Sequence, residues 1–138
     1  MKTEILKIQA DSATGATLNL AGRVLLSLLF VLAGIGKIGA YAATAGWMAS
    51  MGVPGALLPL VILLEVGGSI ALVLGYQTRL LALLLALFTL VSAFIFHSNL
   101  SDQTQFLMFY KNVAIAGGFL AMMLLGGGRF SLDAKLNR

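Results

Sequence analysis

The 138-residue chain contains no cysteine. Within this chain, that excludes disulfides, thiol relays, iron–sulfur clusters and Cys-ligated zinc. A four-helix membrane enzyme that swaps disulfides is excluded with them, unless a partner brings the thiols. There is one histidine, too few to supply two axial ligands to a b-type haem. No cluster of His, Asp and Glu has metal-ligand spacing, so no metal site is expected. Charge is also scarce. Asp, Glu, Lys and Arg make up 10% of the residues, where soluble domains carry about 25%. So few charges cannot cover the surface of a soluble sphere. Disorder is excluded by the opposite imbalance, because 59% of the residues are hydrophobic. A single small integral membrane unit remains.

What charge there is has a sign. Nine Lys and Arg against five Asp and Glu give a net +4. In a soluble chain this would raise nucleic acid as a partner. Here the basic residues stand singly at the ends of apolar segments, with no basic run and no aromatic platform. Their partners are expected to be the bilayer and its anionic headgroups, not nucleic acid.

Four apolar segments are long enough to cross a hydrocarbon core, which takes about 20 helical residues. They lie near Leu18 to Ile38, Ala56 to Gly75, Leu80 to His97 and Phe106 to Leu125. Backbone groups in lipid must be satisfied within helices or a closed barrel. Runs such as Leu80-Leu-Ala-Leu-Leu-Leu-Ala-Leu have no period of two, which rejects the barrel. The expected fold is all-α: a four-helix transmembrane bundle, residues 18–126, between an N-terminal tail, 1–17, and a C-terminal tail, 127–138. Ala40-Tyr41-Ala42 resembles a small-x-small cleavage site, but Lys37 just before it and a polar lead of about 20 residues favour a retained first helix.

The loops predict orientation. Lys2, Lys7, Arg23, Arg79, Arg129, Lys135 and Arg138 fall on one side, Lys37 and Lys111 on the other. The basic side is expected to be cytoplasmic, with both termini. The first loop is uncharged from Tyr41 to Met51. Tyr41, Trp47, Met48 and Met51 share roughly one helical face, which suggests a short interfacial helix, either an anchor or a lid with Tyr41 and Trp47. Gly67, Ala71 and Gly75, and likewise Ala114 and Gly118, are spaced four apart, as suits close helix packing. Nothing suggests an internal repeat.

The residues able to carry chemistry are the ionisable groups within the spans, where a charge costs about 2.5–3.5 kcal/mol on insertion scales. Glu65 is the deepest, about 13 Å inside the outer end of its helix. Lys37, Lys111 and His97 lie in the outer half of the other three helices, with Asn112, Tyr110 and Ser98 nearby. If the four helices face one another, these groups line a polar pocket with an apolar floor. Such a pocket suits an amphipathic ligand, for instance a quinone headgroup whose carbonyls accept hydrogen bonds from Lys37, His97, Lys111 or Asn112, with Glu65 exchanging protons. The alternative is an ion pair between Glu65 and a lysine that sets helix register. Arg23 and Arg79 lie near the opposite ends, where long cationic chains snorkel to headgroups. Gly126-Gly127-Gly128 has no preceding strand and reads as a helix stop, not a phosphate loop. No Ser/His/Asp relay can be assigned.

In order and spacing, several short motifs resemble the DoxX family of bacterial inner-membrane proteins. They are Arg23 opening the first helix, Ala33-Gly34-Ile35-Gly36-Lys37, Met51-Gly52-Val53-Pro54, Glu65 with Gly67-Gly68, and Gly75-Tyr-Gln-Thr-Arg79. Phe96-His97-Ser98, Lys111-Asn112 with Gly117-Gly118, and Gly126-x-Gly128-x-x-Ser131-x-Asp133 complete the set. The resemblance spans about residues 20 to 135. It implies a four-helix bundle linked to quinone-type or stress-related membrane oxidoreductases, and no family-wide catalytic residue. Three functions stand open at this level. One is a quinone-linked oxidoreductase subunit without a covalent cofactor. The second is a non-catalytic anchor for a soluble or membrane oxidoreductase, or for further copies of the chain. The third is a small-metabolite transporter. Charge asymmetry makes one direct prediction: a fluorescent protein fused to the C-terminus should glow and alkaline phosphatase fused there should be inactive. The reverse pattern would invert the orientation.

Overall fold

Hydrocarbon offers no hydrogen-bond partner, and the four apolar runs respond by closing their backbone bonds within helices. The structure, a computed structural model, describes residues 4–137. Lys2 and Arg138, counted in the orientation argument, lie outside the described residues. Among those described there is no strand. Four helices are long and apolar enough to cross a membrane: α1, Ala13–Gly39; α3, Gly55–Leu74; α4, Thr78–Phe96; and α5, Gln103–Leu125. A ten-residue helix, α2, Tyr41–Ser50, fills the first loop, and a short one, α6, Leu132–Leu136, follows the last span.

Local chemistry explains where these helices start and stop. The α1 helix begins five residues before the apolar run because Ser12 caps it, its hydroxyl accepting from the Gly15 N–H at 3.0 Å. Asp102 caps α5 in the same way through Gln105. The α3 helix ends at Gly75, whose φ of +72° is a left-handed conformation suited to glycine. A side chain there would also strike Ser131. Within α3, residues Leu63–Gly68 are wound as a π-helix, a wide turn that recurs at functional sites.

The core lies between α4 and α5, the most extensively packed pair, and the inner face of α1. Leu72, Leu85 and Phe119 are fully buried, and Ala82, Ala86 and Ala116 let the helices approach. Phe30 of α1 meets Phe119 edge to face, with ring centroids 5.4 Å apart. The close approach of α1 to α3 occurs at Gly34. A Cβ there would lie 3.2 Å from that of Glu65 and closer still to the Val66 side chain. Gly118 admits Leu26 of α1, as its spacing suggested. Gly67 and Ala71 instead line an outward groove on α3.

The snorkelling expected of Arg23 is corrected by the structure. Its side chain is fully buried. The guanidinium donates to the carbonyls of Leu72 at 3.3 Å and Val73 at 2.5 Å, to the Asn19 amide oxygen at 2.9 Å, and to the Phe130 carbonyl. The cause is the end of α3, whose last carbonyls carry the negative end of its dipole; the Leu72 carbonyl also accepts from the Gly75 N–H at 3.0 Å. The C-terminal segment folds over the arginine, so it meets backbone oxygens and not headgroups. Asp133 holds that segment from the other side, accepting from the N–H groups of Gln77 at 2.8 Å and Thr78 at 2.9 Å. Burial pushes the Asp133 carboxyl up, but the Thr78 and Gln77 hydrogen bonds and the Arg23 charge outweigh it and hold it below its ordinary value. Replacing Arg23 with Met should destabilise the protein by about 2 kcal/mol, because the Val73 and Phe130 carbonyls lose their charged donor at a buried site. The measurement is the unfolding midpoint in detergent. An unchanged midpoint would show that Arg23 does not tie the segment down.

Candidate functional site

The last turn of α1, the middle of α3 and the end of α4 meet at the end of the bundle away from the termini. Lys37 and Glu65 come together there. The Lys37 Nζ lies 3.0 Å from Oε1 and 2.9 Å from Oε2 of Glu65, so the ammonium straddles the carboxylate. This is the one salt bridge among the described residues. Glu65 is almost completely buried, with 4% of its side chain exposed, whereas 26% of the Lys37 side chain is exposed. An ammonium carries three N–H donors. Both carboxylate oxygens are within reach of it, and Lys37 has no other hydrogen-bond partner among the described residues.

A cavity of about 240 Å³ opens beside the pair. Lys37, Glu65 and His97 contribute its polar wall, with Thr44 and Ser92, and Val61, Phe88, Val91 and Ile95 make it mainly apolar. Trp47 of α2 stacks on Phe96 at the edge, with centroids 4.5 Å apart and planes 29° from parallel. The Nδ1 of His97 is buried without a hydrogen-bond partner. Trp47 thus joins the cavity, while Tyr41, half exposed, does not line it.

Two expected members stand elsewhere. Lys111 is exposed, its Nζ 3.2 Å from Met108 Sδ, and it does not reach Glu65. It lies close enough to His97 to act on that side chain by charge alone. Asn112 donates a long bond of 3.5 Å to the Thr89 carbonyl of α4 and is outside the cavity lining. The reason is rotational. On α5 the buried positions are Ala116, Phe119 and Met122. Asn112 falls on that face, and Lys111, one residue back, is turned about 100° away from it. Arg79, at the other end, is exposed and donates to the Met123 and Leu124 carbonyls at the end of α5. Sequence reasoning missed Thr44, Ser92 and the internal role of Arg23. One signal for the last was present: Arg23, Ser27, Phe30, Gly34 and Lys37 recur at helical spacing, and all but Lys37 are buried.

Four apolar spans around an interior ion pair define a polytopic integral membrane protein. A family model described as DoxX matches residues 18–98, and the chain belongs to the DoxX family. It is 51% identical over 119 residues to the inner membrane protein YqjF of Escherichia coli (strain K12), covering 86% of this chain and 92% of that protein. It is 37% identical over 131 residues to the inner membrane protein YphA of the same organism, covering 89% and 93%. The ER-derived vesicles protein ERV29 of Saccharomyces cerevisiae (strain ATCC 204508 / S288c) is 27% identical over 136 residues, which is 94% of this chain but 37% of the yeast protein. No solved structure matches the chain. With these relatives and four spans, the protein is an integral inner-membrane protein.

A buried pair predicts its own mutational signature. Lys37→Met or Glu65→Leu alone leaves an uncompensated charge and should lower stability by about 3 kcal/mol. The double replacement should recover most of the loss. A thermal-unfolding double-mutant cycle checks this, and additive losses would mean that the two side chains do not depend on each other.

Proposed function

We propose that the protein is a redox-associated inner-membrane subunit that holds a quinone-like lipid by its headgroup in the cavity beside Lys37 and Glu65. Both termini lie in the cytoplasm in this reading, and the cavity opens toward the outer leaflet. The single observation that carries it is the Lys37–Glu65 pair in the wall of a mostly apolar cavity. Glu65 fixes the ammonium in place with two contacts, and an ammonium with three donors keeps capacity for one more acceptor in a mostly apolar chamber.

The residues fit a ring carbonyl. Lys37 donates to it, and the unpartnered His97 Nδ1 offers a second polar contact, as donor or acceptor according to its tautomer. The apolar walls and the Trp47–Phe96 stack accept the faces of a flat ring. The volume of about 240 Å³ is smaller than the roughly 300–1,000 Å³ of pockets that enclose a drug-sized ligand. A headgroup fits, and its tail stays among the acyl chains. A bound quinone supplies the two-electron redox chemistry. Glu65, paired with a lysine and shielded from water, is the group placed to hold a proton for it. With no cysteine and a single histidine in the chain, a soluble or membrane oxidoreductase is the electron source.

The wild-type protein purified in detergent should yield quinone on solvent extraction and chromatography, in amounts stoichiometric with the protein. The double variant Lys37→Met with Glu65→Leu should fold and carry none. A short-tailed quinone should raise the unfolding midpoint of the wild type and leave that of the double variant unchanged. Equal quinone in both preparations, or none in the wild type, would remove this reading and leave the pair as a register lock.

A further inference from the structure

A second cavity, of about 520 Å³, lies at the opposite end of the bundle, beneath the turn from α3 to α4. It is independent of the site at Lys37 and Glu65. Its walls come from Gln77, Thr78 and Arg79 on one side and from Gly126, Gly127 and Asp133 on the other. We propose that it binds the phosphoethanolamine group of a membrane phospholipid: Arg79 takes the phosphate and Asp133 takes the ammonium.

The argument begins with how Arg79 is held. Its Nη1 is occupied by the Met123 and Leu124 carbonyls, at 2.7 and 2.5 Å. The guanidinium lies flat over Gly126, where a Cβ would come within 3.1 Å of Nη2 and 3.2 Å of Nε. The exposed side chain is therefore fixed in one orientation. Its other edge, Nε with Nη2, has no partner among the described residues. That edge is the two-pronged face with which arginine binds phosphate oxygens. The absence of a side chain at Gly126 leaves room beside the guanidinium.

Asp133 supplies the opposite sign. Each of its oxygens accepts one backbone N–H, from Gln77 and from Thr78, and each has further acceptor capacity. Arg23 lies behind it, but the donors of Arg23 are engaged with carbonyls and its side chain is fully buried. Among the described residues, the cavity lining therefore presents one cation and one anion. A purely anionic headgroup would meet Arg79 and be repelled by Asp133. A zwitterion with a phosphodiester and a primary ammonium satisfies both.

The surroundings place that zwitterion at a membrane surface. Leu80 and Leu125, in the end turns of α4 and α5, line the cavity and are 52% and 54% exposed. They belong to the lipid-facing sides of two spans, so acyl chains attached to a bound headgroup would run down against them.

The test is native mass spectrometry of the protein released from nanodiscs of equimolar phosphatidylethanolamine and phosphatidylglycerol. The wild type should retain one phosphatidylethanolamine, preferred about tenfold. Arg79→Lys keeps the charge but loses the two-pronged edge. It should keep its fold, monitored by the unfolding midpoint, and lose most of the retained lipid. Asp133→Asn should bind lipid with the preference abolished or shifted toward phosphatidylglycerol. Equal retention of both lipids by the wild type, or undiminished retention by Arg79→Lys, would overturn the proposal. Soluble phosphoethanolamine separates the two sources of the group. If it fails to raise the midpoint of delipidated protein while the lipid succeeds, the ligand is the whole phospholipid. If both succeed, the headgroup alone carries recognition, and if neither does, the site is not one for this group.

Discussion

A cation buried in a bundle that stands in hydrocarbon must find its partners inside the protein, and α1 carries two such cations on one face. Arg23 and Lys37 are fourteen residues apart, close to a whole number of helical turns. Both reach α3, but at different places. Lys37 grips the Glu65 carboxylate in the middle of α3, and Arg23 grips the carbonyls of Leu72 and Val73 at its end. Two charge-assisted contacts at separate heights hold one helix against another in a single register. Gly34, between them, lets the backbones close. The rest of the bundle is arranged around this pair, with α4 and α5 packed on each other and closing the core through Phe30 and Phe119.

The two ends of α1 use positive charge differently, and the difference lies in how many donors are left over. Arg23 has its donors engaged by four oxygens and is sealed from solvent. A charge so enclosed holds structure and is out of reach of a ligand. Lys37 has one partner, the Glu65 carboxylate, and its side chain is partly exposed in the wall of a cavity. Arg79 is intermediate: one nitrogen is tied to the end of α5 and the opposite edge of its fork is free. The same residue type can thus be scaffold or recognition surface, and its unpaired donors decide which.

The depth of each ionisable group was legible in the chain, because a rise of about 1.5 Å per residue converts sequence position into height. That arithmetic set Glu65 deeper than Lys37, and it is the packed bundle that brings the long lysine side chain down to the carboxylate. Direction around the helix was not legible, because it depends on which neighbour each helix packs against. Lys111 has a suitable height and the wrong azimuth, since α5 turns Ala116, Phe119 and Met122 inward. Asn112 faces inward but finds the Thr89 carbonyl of α4 instead of the cavity. Arg23 has the position of a snorkelling residue and the surroundings of a core residue. The segment that covers it, running through Phe130 and Asp133, comes from the far end of the chain, and no local pattern announces that contact.

Membership in the membrane, the count of four spans, their limits to within a few residues and the family all follow from the sequence by itself. The physical reason is that hydrocarbon imposes length, apolarity and helical backbone closure on each segment separately. Contacts between segments were decided by the tertiary structure alone. It selected Lys37 over Lys111 as the partner of Glu65, folded the C-terminal segment over Arg23, and opened the cavities beside Lys37 and beside Arg79. Those outcomes depend on rotation about helix axes and on contacts more than a hundred residues apart in the chain, such as that between Arg23 and Phe130, where only the packed bundle decides which groups can meet.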